Sequence, residues 1–262
     1  YQVERLDFEN RKAYVREVDC DYYTDAIVYT NVTVLDEFAS STGHDASSPE
    51  DEDDGLDSLI EESASGIARV AVEADGHDVA TRAHGEVHVV SRVVGFKKIK
   101  FHTNEHVGAG DLHLPEQPMH TTSYWLTIPR GLIAELPGTN EDRRDGIAGL
   151  ATAMRHVAQL LLMCDRHDVG LSVNTDALTS AGQSGPTADD PRIFLYDNYP
   201  GGIGFSRPLY EMHGALVGGA RSLIADCPCE SGCPSCVGPA GEVGPRAKAM
   251  ALLLLDAIQG PA

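Results

Sequence analysis

Four of the chain's six cysteines fall within ten residues, Cys227-Pro-Cys229-Glu-Ser-Gly-Cys233-Pro-Ser-Cys236, and no other feature limits the local fold so strongly. Pro228, Gly232 and Pro234 supply the tight turns that bring such a loop back on itself. Four thiolates converging from one short loop suit a tetrahedral soft metal, zinc first, with each sulfur at about 2.3 Å. Two disulfides confined to ten residues would be strained. An iron–sulfur cluster also takes four thiolates, although its usual ferredoxin spacings differ from this one. A redox-active pair at Cys233 and Cys236 is a further alternative, against which two neighbouring cysteines favour a closed site. Such a closed site keeps no open coordination position, so Cys227, Cys229, Cys233 and Cys236 read as ligands of a structural rather than a catalytic metal. The two remaining cysteines, Cys20 and Cys164, stand alone beside acids and read as inert thiols.

Ahead of this loop the hydrophobic period changes once. Residues 26–30 and 32–35 are rich in β-branched and aromatic side chains with Asn31 as a break, and 68–74, 85–94, 96–101 and 121–128 repeat the strand pattern. Gly95 is expected to mark a bulge or bend. From Asp145 to Asp165, apolar residues at 147, 150, 151, 154, 157, 158 and 161 trace one face of an amphipathic helix. Short strands follow at 171–173 and 192–196, then helices over 206–224 (Pro208 in the first turn) and 246–258. The expected fold is α+β: an antiparallel β module over 1–136, then a small α+β metal-binding domain over 137–262. Residues 41–66 hold nine acids, no Lys or Arg and few large apolar side chains, the composition of a disordered insertion.

Charge narrows the partners. The chain carries 20 Lys+Arg against 40 Asp+Glu, a net charge of −20, which opposes contact with a nucleic-acid backbone. The exception is Arg92, Lys97, Lys98 and Lys100, a concentrated basic run interleaved with Phe96 and Phe101, a pattern suited to single-stranded nucleic acid and also to a solvated strand face. No run of 18 uncharged apolar residues exists, so no membrane partner is expected. There is no secretory leader and the chain opens at Tyr1, so a cytoplasmic fragment of something longer is the expectation. Asp197, Gly201, Gly202 and Gly204 lie in a glycine-rich turn between strand and helix, where backbone amides can hold an anion. The competing account is a tight turn with positive φ, Asp197 bonding to the loop amides.

Taken together, Tyr22-Tyr-Thr24, Gly95-Phe-Lys-Lys98, the strand 121–128 with Trp125, Asp145-Gly-Ile-Ala-Gly-Leu150, Leu162-Met-Cys-Asp165, Asp197-x-x-Pro-Gly-Gly-x-Gly204 and the cysteine loop resemble one family. It is the C-terminal part of the MrfA/YprA superfamily two DNA helicases, which closes with the MrfA-like zinc-binding domain. The resemblance implies zinc on Cys227, Cys229, Cys233 and Cys236 and an ATP-driven, DEAD/DEAH-box helicase or translocase acting on DNA in repair. It also implies that ATP and magnesium belong to motor domains in cis, outside this region. No G-x-x-x-x-G-K-[ST] occurs here, so this stretch is not expected to hydrolyse ATP. Two rivals are a motor-less interaction subunit of a DNA-defence or repair complex, and a free-standing enzyme taking a phosphorylated substrate at the glycine loop. The oligomeric state is not legible.

Overall fold

The computed structural model describes residues 1–7, 9–42, 79–103, 105–179, 190–239 and 243–259. Packing gathers the chain into two compact units, Tyr1–Asn31 with Val90–Pro118, and Val32–Val89 with Met119–Ala262. Residues 119–136, grouped by sequence with the β module, pack in the second unit.

In the first unit, β1 (Gln2–Asp7) and β2 (Lys12–Arg16) form an antiparallel hairpin. The early part of β3 (Tyr22–Thr42), the late part of β4 (Thr81–Lys100) and β5 (His106–Asp111) also belong here. β3 runs through Asn31 without the expected break, and β4 runs through Gly95 in regular antiparallel register with β5. The register shifts instead between Lys98 and Ile99. Gly95 is glycine for another reason: a Cβ there would stand 2.7 Å from the Gly110 carbonyl oxygen. Among the described residues, none of the buried hydrophobic side chains lies in this unit.

The second unit has a strand order β3-β4-β6-β8-β7, built with β6 (Gln117–Thr127), β7 (Val169–Asn174) and β8 (Arg192–Asp197). β6 pairs antiparallel with β8, Tyr124 opposite Leu195 and Trp125 opposite Phe194. Alternation then sorts the side chains. Tyr124, Leu126, Ile193 and Leu195 join the larger core with the helices, while Trp125, Phe194 and Tyr196 join a smaller cluster with Val32, Ala83, Val87 and Val89. Both faces of these central strands are therefore apolar, which is why 192–196 reads as a continuous hydrophobic run rather than an alternating one.

The helices are α1 (Arg130–Glu135), α2 (Asn140–Leu162), α3 (Asp176–Thr179), α4 (Ser206–Glu211), α5 (His213–Asp226) and α6 (Ala247–Gln259). α2 buries Ile147, Leu150, Ala151, Met154, Val157 and Ala158, the stripe read from the sequence. Each of the larger side chains among them contributes about 1.5–3 kcal/mol. The helix starts five residues before Asp145, because Thr139 and Asp142 form a capping box: Thr139 Oγ1 accepts from the Asp142 amide at 3.1 Å and Asp142 Oδ2 from the Thr139 amide at 2.8 Å. The expected helix over 206–224 is two helices that meet at Met212, where ψ rises to 20°. Of the acidic segment 41–66, Ser41 and Thr42 close β3, and 43–66 lies outside the described residues, as does the expected strand 68–74. The α+β class with antiparallel pairing stands as expected.

Candidate metal centre

α5 ends at Asp226 and the chain turns extended at Cys227. The loop that follows lies against the larger core: Cys236 and Val237 are fully buried, and Cys227, Cys229 and Cys233 pack against the same cluster. The second arm is a tight turn in which the Cys233 carbonyl accepts from the Cys236 amide at 3.0 Å and the Gly238 amide at 3.1 Å. The Cys233 amide in turn points at Cys236 Sγ, 3.4 Å away.

All four sulfurs lie within 4.8 Å of one another. Cys227 Sγ is 3.6 Å from Cys233 Sγ, Cys229 Sγ is 3.5 Å from Cys236 Sγ, and Cys233 Sγ is 3.7 Å from Cys236 Sγ. A tetrahedron with metal–sulfur bonds of about 2.3 Å has edges of about 3.8 Å. A disulfide would need about 2.05 Å, and the cysteines are free thiols. The spacing fits one ion at the centre and leaves no room for the several bridged irons of a cluster. Ionisation asks for the same ion. The Ser235 backbone and the Cys227 thiol hold Cys233 down at about 7, whereas burial pushes Cys236 up to about 12. Four thiolates this close would not coexist at neutral pH without a cation between them.

Two helices reach the loop. From the first turn of α6, Lys248 Nζ donates to the Cys227 carbonyl at 2.6 Å and the Cys229 carbonyl at 2.7 Å, and lies 3.8 Å from Cys229 Sγ. From α2, the His156 ring sits near the Ser235 backbone, and burial lowers its pKa. The sequence reading missed Lys248. Its signal was a lone lysine, one of five in the chain, opening a strongly apolar helix.

At the glycine loop, Gly201, Gly202 and Gly204 have φ of +83°, +74° and +92°. Asp197 is buried, and its Oδ2 accepts from the amides of Ile203 at 2.6 Å, Gly204 at 2.8 Å and Phe205 at 3.2 Å, and from Thr122 Oγ1 at 3.1 Å. Thr121 Oγ1 ties the same turn to β6 by donating toward the carbonyls of Asp197 and Tyr199. The three amides that open toward α4 are thus already bonded to a carboxylate belonging to the chain. The basic run is split by the strand period: Arg92, Lys98 and Lys100 share one face of β4 and Lys97 lies on the other. Lys98 stacks over the Tyr22 ring at 5.1 Å, and Lys100 pairs with Asp21 at 3.7 Å. Deeper in the second unit, Tyr124 OH and His213 Nδ1 share a buried hydrogen bond of 2.7 Å; burial raises the Tyr124 pKa and pushes His213 down to about 4.

A four-sulfur loop closed against a helical core has the donor set and the spacing of a metal-binding module. Residues 150–237 match the family described as the MrfA Zn-binding domain. Over 256 residues the chain is 34% identical to an uncharacterized ATP-dependent helicase, YprA of Bacillus subtilis (strain 168), covering 98% of this chain and 28% of that protein. The crystal structure of the DUF1998 helicase MrfA bound to DNA is similar with a TM-score of 0.58, at 32% identity over 98% of this chain and 28% of that one. A second crystal structure of the DUF1998 helicase MrfA gives a TM-score of 0.52 at 26% identity over 97% of this chain and 27% of that one. Residues 150–237 are therefore similar to the MrfA Zn-binding domain, and the chain as a whole is similar to part of the MrfA/YprA helicases. It spans little more than a quarter of the length of these relatives.

Proposed function

We propose that this chain is the C-terminal accessory and zinc-binding region of an ATP-dependent DNA helicase or translocase of DNA repair, working in the cytoplasm. The observation that carries the reading is the cysteine loop: four sulfurs at tetrahedral spacing inside residues matched to an MrfA Zn-binding domain. Cys227, Cys229, Cys233 and Cys236 hold one zinc ion, which supplies four bonds and a double positive charge and no catalysis. The cysteine loop thereby fixes the end of α5 to the start of α6, and with it the face that β6, β8 and α2 share. ATP and magnesium are used by motor domains in cis, outside residues 1–262. The functional boundary between an accessory module over 1–136 and the zinc domain over 137–262 is part of the same proposal.

Arg92, Lys98 and Lys100 on one face of β4 are the proposed contact with DNA phosphates, and Lys97 contributes from the other face. The test is binding of single-stranded DNA by residues 1–262 at several salt concentrations, with and without Lys97, Lys98 and Lys100 changed to alanine. Each phosphate contact removed should lower the salt slope by about 0.7. Binding with no salt dependence and no effect of the triple change would remove DNA contact from this region and leave docking on the motor as its role.

A further inference from the structure

Lys248 stands where elementary electrostatics disfavours it. It occupies the first turn of α6, and the positive end of a helix dipole opposes a cation. Its side chain is half-buried, and its ammonium bonds to two carbonyls of the cysteine loop rather than to a carboxylate. Among the described residues, the ion pairs of this region lie elsewhere: Arg246, just ahead of α6, with Asp142 of α2, and Arg221 of α5 with Asp256 of α6. Lys248 alone aims at the sulfurs, with Cys229 Sγ 3.8 Å away.

The cost of that position disappears if the loop carries negative charge. A divalent ion bound by four thiolates has a formal charge of −2, in a site where one ligand, Cys236, is fully buried. The carbonyls of Cys227 and Cys229 add two dipoles with their negative ends toward the same point. An ammonium there offsets the charge and also fixes both ligand-bearing residues of the first arm. The second arm needs no such help, because its own amides bond within the turn.

We infer that Lys248 is the outer cation of the metal centre, a positioning residue that holds the Cys227–Cys229 arm and raises zinc retention by charge. The inference rests on the zinc reading and adds a residue to it. Partners of this kind, one shell beyond the ligands, usually change metal affinity by about 10–100-fold. It also predicts an electronic signature. A positive charge near Cys229 Sγ lowers the energy of the sulfur electrons, so removing it should shift the thiolate-to-metal charge-transfer band of the cobalt-substituted protein to longer wavelength.

The experiment uses residues 1–262 with zinc, titrated against a chelator of known affinity, and the same protein loaded with cobalt. K248M should bind zinc about 10–100-fold more weakly and move the cobalt band, and K248R should restore both towards wild type. R246M removes a nearby cation that does not face the sulfurs, so it should change neither. Should K248M fail to reconstitute, K248Q takes its place, keeping a donor for the carbonyls while losing the charge, and the cobalt band should still move. Zinc affinity within twofold of wild type in K248M, or an unmoved band in both neutral variants, overturns the inference while the metal site stands. A wild-type chain that binds neither metal overturns the zinc reading itself, and this inference with it.

Discussion

The two units solve the problem of holding a sheet together in different ways. The second places β6 and β8 between two hydrophobic clusters and covers one of them with helices. The first has only 60 residues, by the bounds Tyr1–Asn31 and Val90–Pro118, and none of the buried hydrophobic side chains among the described residues. Yet it carries ten of the eighteen large apolar side chains that are exposed among the described residues, Tyr29 and Val28 included. Its strands are held by backbone pairing and by exposed contacts such as Arg5 over the Tyr14 ring at 4.1 Å. Pairing without burial is marginal. The difference teaches where stability resides: in the second unit it comes from burial and, by the proposal above, from metal, whereas the first has neither.

The largest expected effect separates the units outright. Chelation, or Cys233→Ser, should cost the second unit on the order of 10 kcal/mol, because binding to a site that forms only on folding is folding free energy. Trp125 is the chain's one tryptophan and is buried in the second unit, so its emission reports that unit alone. A red shift of Trp125 on zinc removal is expected; an unchanged spectrum would break the link between metal and core. Next, Leu150→Ala should cost 2–5 kcal/mol by urea unfolding, since Leu150 is fully buried on α2 (roughly the cost of a core truncation). Val28→Ala in the first unit, exposed on β3, should change stability by less than about 0.5 kcal/mol. Equal costs would erase the contrast.

Acid should then act on the second unit through His213. Its folded pKa, about 4, lies below the ordinary 6.5 because burial favours the neutral ring. The unfolded chain therefore takes up the proton first, and stability present above pH 6.5 is lost as the pH falls towards 4, on the order of 3 kcal/mol in all. Zinc loss falls in an overlapping range, so the check is the difference between wild type and His213→Gln in melting temperature at each pH. That difference should shrink as the pH drops, and a constant difference would contradict the burial argument. The glycine loop offers a contrast within the second unit itself. Gly202→Ala puts a Cβ against Thr122 at a φ of +74° and should cost about 2–3 kcal/mol. Gly201→Ala, at +83° with open space around it, should cost only about 1 kcal/mol.

Much of the second unit was legible because its signals are local. The α2 stripe and the ten-residue cysteine loop each state their structure within a few turns of chain. Asp197 was legible for a similar reason, since its bonds reach only six to eight residues ahead. What escaped was set by distant partners. Gly95 reads as a bend from its own neighbours, and only the Gly110 carbonyl across the ladder makes it a close approach in a straight strand. The basic run looks like one patch in sequence and is divided between two faces by the strand period. Lys248 meets Cys227 and Cys229 across about twenty residues of chain, with no motif to announce it. The early start of α2 was legible and overlooked: Thr139 with Asp142 three residues on is the capping signature.

The most direct measurement is metal content of the purified chain of residues 1–262 by elemental analysis, beside Cys227→Ser and Cys233→Ser. One zinc per wild-type chain, lost together with the Trp125 environment in both variants, is the predicted result. Wild-type protein that carries no zinc yet keeps Trp125 buried and its thiols fully reactive would contradict the account at its centre.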